Sequence, residues 1–152
     1  MTLTATPGTN IDHLWAAARG EAPMPPAALL LGWKPLELEP GRVRVQYMAR
    51  EEWYNPQESV QGGFIAAMLD DAMGPALFTA LKPGQFAPTL ELKVAFYRPV
   101  QAGKVVAEGH VVHRTKRVAF LEGRLFNERG DLAASATATA RIGEMASGTA
   151  HG

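Results

Sequence analysis

Hydrophobic and polar residues alternate along most of this chain, and one long apolar run interrupts the alternation. Arg42-Val43-Arg44-Val45-Gln46-Tyr47-Met48 switches character at nearly every step, the period of a half-buried strand. Gly32 to Glu39 reads as the strand before it, with Pro40-Gly41 as the turn. Beyond residue 62 the period changes. Phe64, Ile65, Met68, Leu69, Ala72, Met73, Ala76, Leu77 and Phe78 leave no solvent stripe on a helix. Gly74-Pro75 is expected to kink that helix and Lys82-Pro83-Gly84 to close it. Alternation then resumes in Thr89 to Tyr97, where Leu90, Leu92, Val94 and Phe96 share a face. Strands follow from Lys104 to Arg114, from Arg117 to Asn127 and from Leu132 to Ile142. In the last of these Ala134, Ala136, Ala138 and Ala140 fall on one face, where a thick helix can pack closely.

Short turns make the sheet antiparallel. The predicted order is strand, strand, helix, then four strands in a meander. The simplest burial for an all-round apolar helix is an α+β fold, with a curled antiparallel sheet of five to six strands around one long central helix. Residues 1–25 read as an N-terminal arm, loose from Met1 to Asn10. The arm carries a short helix capped by Asn10 or Asp12 and ended by Gly20. Residues 26–142 form the domain, and 143–152 a flexible tail.

Composition narrows the classes. At 152 residues the chain has room for one domain. Fifteen basic and fifteen acidic residues cancel, so no general field attracts nucleic acid or a membrane surface. The absence of cysteine excludes disulfides, thiolate metal ligands and a catalytic thiol. His13, His110 and His113 lack ligand spacing, so no metal site is expected. No apolar run is long enough to span a bilayer, and the first residues lack a secretion pattern. The expectation is a cytoplasmic protein.

The candidate chemistry gathers around the start of the long helix. The adjacent glycines Gly62-Gly63 leave its first backbone N–H groups uncovered, open to a carbonyl or an anion. Within the helix, Asp70 and Asp71 are the anomaly, because ionised carboxylates are rarely placed inside without a purpose. At about 100° per residue, Asp70 shares a face with Gly63, Ala66, Ala67 and Gly74, a small-residue face that leaves room for a ligand or a neighbouring backbone. Asp71 falls between Phe64, Met68 and Phe78 and reads as structural, bonded to a loop. Asp70 is the candidate for chemistry.

Asn55, Gly62-Gly63 and Asp70 are spaced as an amide six residues before the pre-glycine position and a carboxylate nine residues after it. In this the chain resembles the hotdog-fold acyl-CoA thioesterases, in the branch of the phenylacetate-pathway (PaaI-like) and 4-hydroxybenzoyl-CoA enzymes. The resemblance spans roughly residues 26 to 142. Family members usually carry histidine where this chain has Gln61. The family often has Ser or Thr at the start of the strand after the helix, matching Thr89, although strand alternation would turn Thr89 away from the core.

The resemblance implies hydrolysis of an acyl-CoA thioester, with CoA as part of the substrate and no cofactor. The Gly62 N–H would hold the developing oxyanion, helped by Asn55. Asp70 would act as general base on water or as nucleophile, with Thr89 placing the water. A carboxylate ringed by apolar groups would have a raised pKa and make a better base. Gln61, Gly63, Trp53, Tyr54 and Phe64 are candidate substrate contacts, the aromatics either lining an acyl pocket or belonging to the core. Arg98 and the basic turn Arg114, Lys116, Arg117 would meet the CoA phosphates. Gly62 and Asp70 lie about 12 Å apart along one helix, too far to share one carbonyl. A complete site therefore needs Gly62 from one subunit and Asp70 from another, hence a homodimer, and the resemblance implies that such dimers can pair into a dimer of dimers. The competing readings are a non-catalytic acyl-CoA-binding module and, further off, a hotdog hydratase.

Overall fold

The computed structural model describes residues 9–146. In chain order the elements are α1 (Asn10–Ala18), α2 (Pro26–Leu31), β1 (Lys34–Glu39), β2 (Arg42–Ala49), α3 (Gly62–Phe78), β3 (Gln85–Phe86), β4 (Thr89–Phe96), β5 (Gly103–Arg114), β6 (Val118–Phe126), β7 (Leu132–Arg141) and β8 (Gly143–Glu144). Six strands form one antiparallel sheet in the order β1-β2-β5-β6-β7-β4, and α3 packs across it. Among the described residues no helix is long and apolar enough to cross a membrane.

The sheet is not the expected meander. Only β5, β6 and β7 follow one another; β4 runs to the far edge beside β7, and β5 pairs with β2. The reason lies in the connection after β4. Residues 97–102 are too long for a tight hairpin, and Val60 donates its N–H to the Val100 carbonyl at 2.9 Å, drawing this segment beneath the loop before α3. Edge position also explains why the supposed core face of β4 is wet. Leu90 and Phe96 are exposed, while Leu92 and Val94 are half-buried.

Helix α3 buries Ile65, Met68, Leu69, Ala72, Met73, Ala76 and Leu77. Fully burying a side chain of this size contributes about 1.5–3 kcal/mol, so this face anchors the fold. The alanine face of β7 is buried as the pattern predicts. The tightest seat is elsewhere, at Gly109 and Gly123, which stand opposite each other on β5 and β6. A Cβ at Gly109 would run into the Ala72 carbonyl, and one at Gly123 would come 3.1 Å from Met73 Cγ. The helix passes through Pro75 and ends at Phe78, four residues before the expected Lys82-Pro83-Gly84 stop. Its end is held from outside: Asn10 Nδ2 donates to the carbonyls of Phe78 (2.7 Å) and Leu81 (3.1 Å), and Arg114 donates to that of Ala80.

Asn10 therefore caps α3 rather than its own helix. The cap of α1 is Thr9, whose hydroxyl accepts the Asp12 N–H at 3.1 Å. Of the segment expected to be loose, Asn10 is helical, and residues 1–8 lie outside the described residues. At the other end, part of the expected flexible tail is a strand: Gly143–Glu144 pairs with Gln85–Phe86. Gln85 Nε2 donates to Glu144 at 3.0 Å, and the Phe86 ring occupies the space a Cβ at Gly143 would need. Residues 147–152 lie outside the described residues. Gly32, expected to open the first strand, instead ends α2 in the left-handed region at φ 74°, and β1 begins at Lys34.

Candidate active site

At the amino end of α3, Gln61 occupies the cap position without capping through its side chain. Its carbonyl accepts from Phe64 and Ile65, and its own N–H donates to Trp53 O. The N–H groups of Gly62 and Gly63 have no acceptor among the described residues. They are the orphan donors that every helix start presents, at the positive end of the helix dipole. A cleft opens beside them, lined in part by Asn55, Ser59, Gly62, Phe96, Tyr97 and Arg98. Phe96 lies over Gly62, where an added Cβ would sit 3.1 Å from the ring.

Asn55 is fixed by its loop. Its Oδ1 accepts the backbone N–H groups of Gln57 (3.0 Å) and Ser59 (3.3 Å) and the Ser59 hydroxyl (3.3 Å). The acceptor end is thus occupied, while Nδ2 has no acceptor among the described residues. Glu58 completes the turn with a positive φ of 57°, a conformation uncommon outside glycine. Arg98 donates to the Leu132 carbonyl at 2.6 Å at the mouth of the cleft.

Asp70 sits eight residues along α3, half-buried, and its Oδ1 accepts the Thr89 hydroxyl at 3.0 Å. Alternation would have turned Thr89 away. A bulge between Thr89 and Glu91 breaks the register, and Thr89 faces the helix. The small-residue face around Asp70 is open. A Cβ at Gly63 or Gly74 would meet nothing within 4 Å.

Asp71 is tied to a strand, not to a loop. Its Oδ2 accepts the hydroxyl of Tyr47 on β2 at 2.9 Å, and Tyr47 is fully buried. Burial pushes the Asp71 carboxyl up to about 6, and the Asp70 charge adds to the rise while the Tyr47 bond opposes it.

The remaining candidates separate into two groups. Trp53 is buried and stacks on Phe64 with ring centroids 4.9 Å apart, so this pair supports the loop from inside rather than lining the cleft. Tyr54 donates to Gln101 Oε1 at 3.0 Å and accepts the Ala102 N–H at 2.9 Å, bracing the connection after β4. Arg114, Lys116 and Arg117 lie by the carboxyl end of α3, where Arg114 holds the Ala80 carbonyl at 2.7 Å; they do not join Gly62 within one protomer. The cleft residues missed in the sequence are Ser59, Phe96 and Tyr97. Tyr97 Oη and Ser135 Oγ lie 2.6 Å apart. The signal missed was the edge position of β4, which turns a supposed core face outward. A second concavity, on the outer sheet face, is lined by charges of both signs, with Arg44 3.8 Å from Glu108 and 4.0 Å from Glu37. No helix end is among its lining residues.

Residues 58–134 match the family model of the thioesterase superfamily. This chain belongs to the thioesterase superfamily. A candidate esterase of Saccharolobus solfataricus is 30% identical over 103 residues, spanning 68% of this chain and 73% of that protein. The crystal structure of a candidate thioesterase from Ralstonia eutropha, a phenylacetic acid degradation-related protein, is 34% identical. It superposes with a TM-score of 0.79 over 85% of this chain and 98% of the other. The E. coli PaaI protein from the phenylacetic acid degradation operon shares the fold at 21% identity, with a TM-score of 0.78 over 90% and 96% of the two chains. Six antiparallel strands around one helix is the hotdog arrangement of this superfamily.

Proposed function

We propose that this thioesterase-superfamily protein hydrolyses an acyl-CoA thioester at a centre shared by two copies of the chain. The observation that carries the reading is the separation of its two halves. Orphan N–H donors stand at the start of α3, and Asp70, bonded to Thr89, faces outward from its middle, about 12 Å further along the axis. Neither half suffices alone. A second copy related by a two-fold axis would bring Asp70 of one helix opposite the Gly62 end of the other, giving two sites. The open face at Gly63 and Gly74 and the unpaired edge strand β4, with exposed Leu90, Phe96 and Tyr97, support that approach. An exposed edge strand with apolar side chains is a surface that folded proteins normally cover.

At such a centre the thioester oxygen sits against the Gly62 N–H, with Asn55 Nδ2 as a second donor. Charge developing on that oxygen is met by donors already in place. In one route water forms the new C–O bond and passes its proton to Asp70, the C–S bond breaks, and the leaving thiolate takes the proton back. In the other, Asp70 attacks the carbonyl carbon, the thiolate leaves, and water opens the resulting anhydride. Label found in Asp70 after a single turnover in heavy-oxygen water marks the second route, because water attacking the Asp70 side of the anhydride leaves its oxygen there. Arg98 stands at the cleft mouth as a phosphate contact; Lys116 and Arg117 would reach the same substrate only from the partner copy.

The test is release of free thiol from a panel of acyl-CoA esters. Asp70→Asn should cut kcat/KM by about 1,000-fold with the Tm nearly unchanged. Failure of the unaltered protein to cleave any acyl-CoA ester would overturn the proposal in favour of a binding module.

A further inference from the structure

Asp71 and its partner Tyr47 have no part in the chemistry above, yet they lie next to it. Asp70 is tied to Thr89 on the edge strand β4, and Asp71 to Tyr47 on β2, with three strands between them in the sheet. Among the described residues, no other side chain of α3 makes a hydrogen bond. Apart from Asn10, which donates to the Phe78 carbonyl at its last residue, what holds the helix is apolar packing, which is non-directional. Beyond the close seat of Ala72 and Met73 on Gly109 and Gly123, a helix apolar nearly all round has little in its side-chain pattern to choose one rotation about its axis. A turn of about 100°, one residue, would exchange the directions of Asp70 and Asp71. Hydrogen bonding does choose. Tyr47 is fully buried and can reach Asp71 in only one rotation, and any other would strand a buried hydroxyl and a carboxyl without partners.

We propose that the Tyr47–Asp71 hydrogen bond is a positioning device for the reaction, fixing the rotation of α3 so that Asp70 faces the shared centre. This rests on the reading of Asp70 as the reacting carboxylate. Tyr47→Phe removes the bond but keeps the ring. It should lower kcat about tenfold with KM nearly unchanged, since misaiming a reacting group costs the chemical step rather than binding. Asp71→Asn still accepts from Tyr47 and should keep kcat within about twofold of the unaltered protein. The decisive variant combines Tyr47→Phe with Asp71→Leu, leaving no buried polar group unpaired. Its Tm should recover while kcat stays low. A kcat that returns with the Tm, or that never fell in Tyr47→Phe, overturns the proposal.

A second readout does not depend on hydrolysis. The chain has no cysteine, so Asp70→Cys supplies a single thiol whose reaction rate with a thiol reagent reports where position 70 points. Adding Tyr47→Phe should change that rate severalfold, and an unchanged rate overturns the positioning role. Absence of all hydrolysis would sink the catalytic reading separately, with the thiol readout still deciding the rotation.

Discussion

The two sides of α3 follow opposite rules. On the sheet side every position is spoken for: Ala72 and Met73 press on Gly109 and Gly123 so closely that those strand residues have no room for a Cβ. On the open side, glycines at 63 and 74 have nothing near them, and the aspartate between them reaches outward. Glycine means one thing where it admits a neighbour and another where no neighbour is present. The first kind is explained by the protomer. The second is not explained by the protomer, and the proposal assigns that face to a second copy of the chain.

That contrast can be broken by substitution. Gly109→Ala should destabilise the protein by about 3 kcal/mol, because backbone on both sides prevents relaxation. Gly74→Ala should carry no such penalty in the protomer, since alanine favours a helix by roughly 0.5–1 kcal/mol, yet shift the monomer–dimer equilibrium toward monomer. Urea unfolding and sedimentation equilibrium read the two effects. Equal destabilisation by both would erase the distinction between the faces.

The paired aspartates sharpen it through pH. Burial lifts the folded-state Asp71 carboxyl from 3.8 to about 6. Between those values the folded chain keeps a proton that the unfolded chain gives up, so stability falls as pH rises through the window. The loss reaches about 3 kcal/mol by neutral pH. Asp71→Asn has no proton to lose and still accepts from Tyr47. It should match the unaltered protein near pH 4 and exceed it by about that amount at pH 7. Denaturant midpoints at the two pH values check this, and a gap that is the same at both would contradict the assignment. A smaller effect is expected on the open side. Thr89→Val removes the hydroxyl on Asp70 and should lower kcat about tenfold, or about 1.4 kcal/mol, with little change in Tm.

Much of the fold was legible in the sequence because it depends on period. Alternating strands and an all-round apolar helix dictate a sheet wrapped about that helix, whatever the order of the strands. The order itself was not legible. Whether β4 pairs with β5 or β7 depends on where the connection of residues 97–102 is held, and Val60, nearly forty residues earlier, holds it. At the site, the helical wheel put Asp70 and Asp71 on different faces, and they do bond to different strands, because that separation follows from geometry alone. The partner of Asp71 was invisible, since Tyr47 reads simply as a strand aromatic. The orientation of Thr89 was invisible too, because a bulge leaves no mark in the local pattern. Asn10 shows the same limit: a natural cap for the helix it begins, it is used to close the end of another.

Subunit complementation tests the shared centre most directly. Gly62→Pro removes the N–H proposed to hold the oxyanion while suiting the first turn of a helix, and Gln61 already has the extended backbone that precedes proline, at φ −54° and ψ 133°. Asp70→Asn removes the carboxylate. Each variant alone should be inactive. Unfolded together and refolded as a 1:1 mixture, half the dimers are mixed and each of these regains one intact site, so about a quarter of the wild-type activity should return. No recovery, with mixed dimers shown to have formed, would mean that Gly62 and Asp70 of the same chain serve one site and would contradict the two-copy centre.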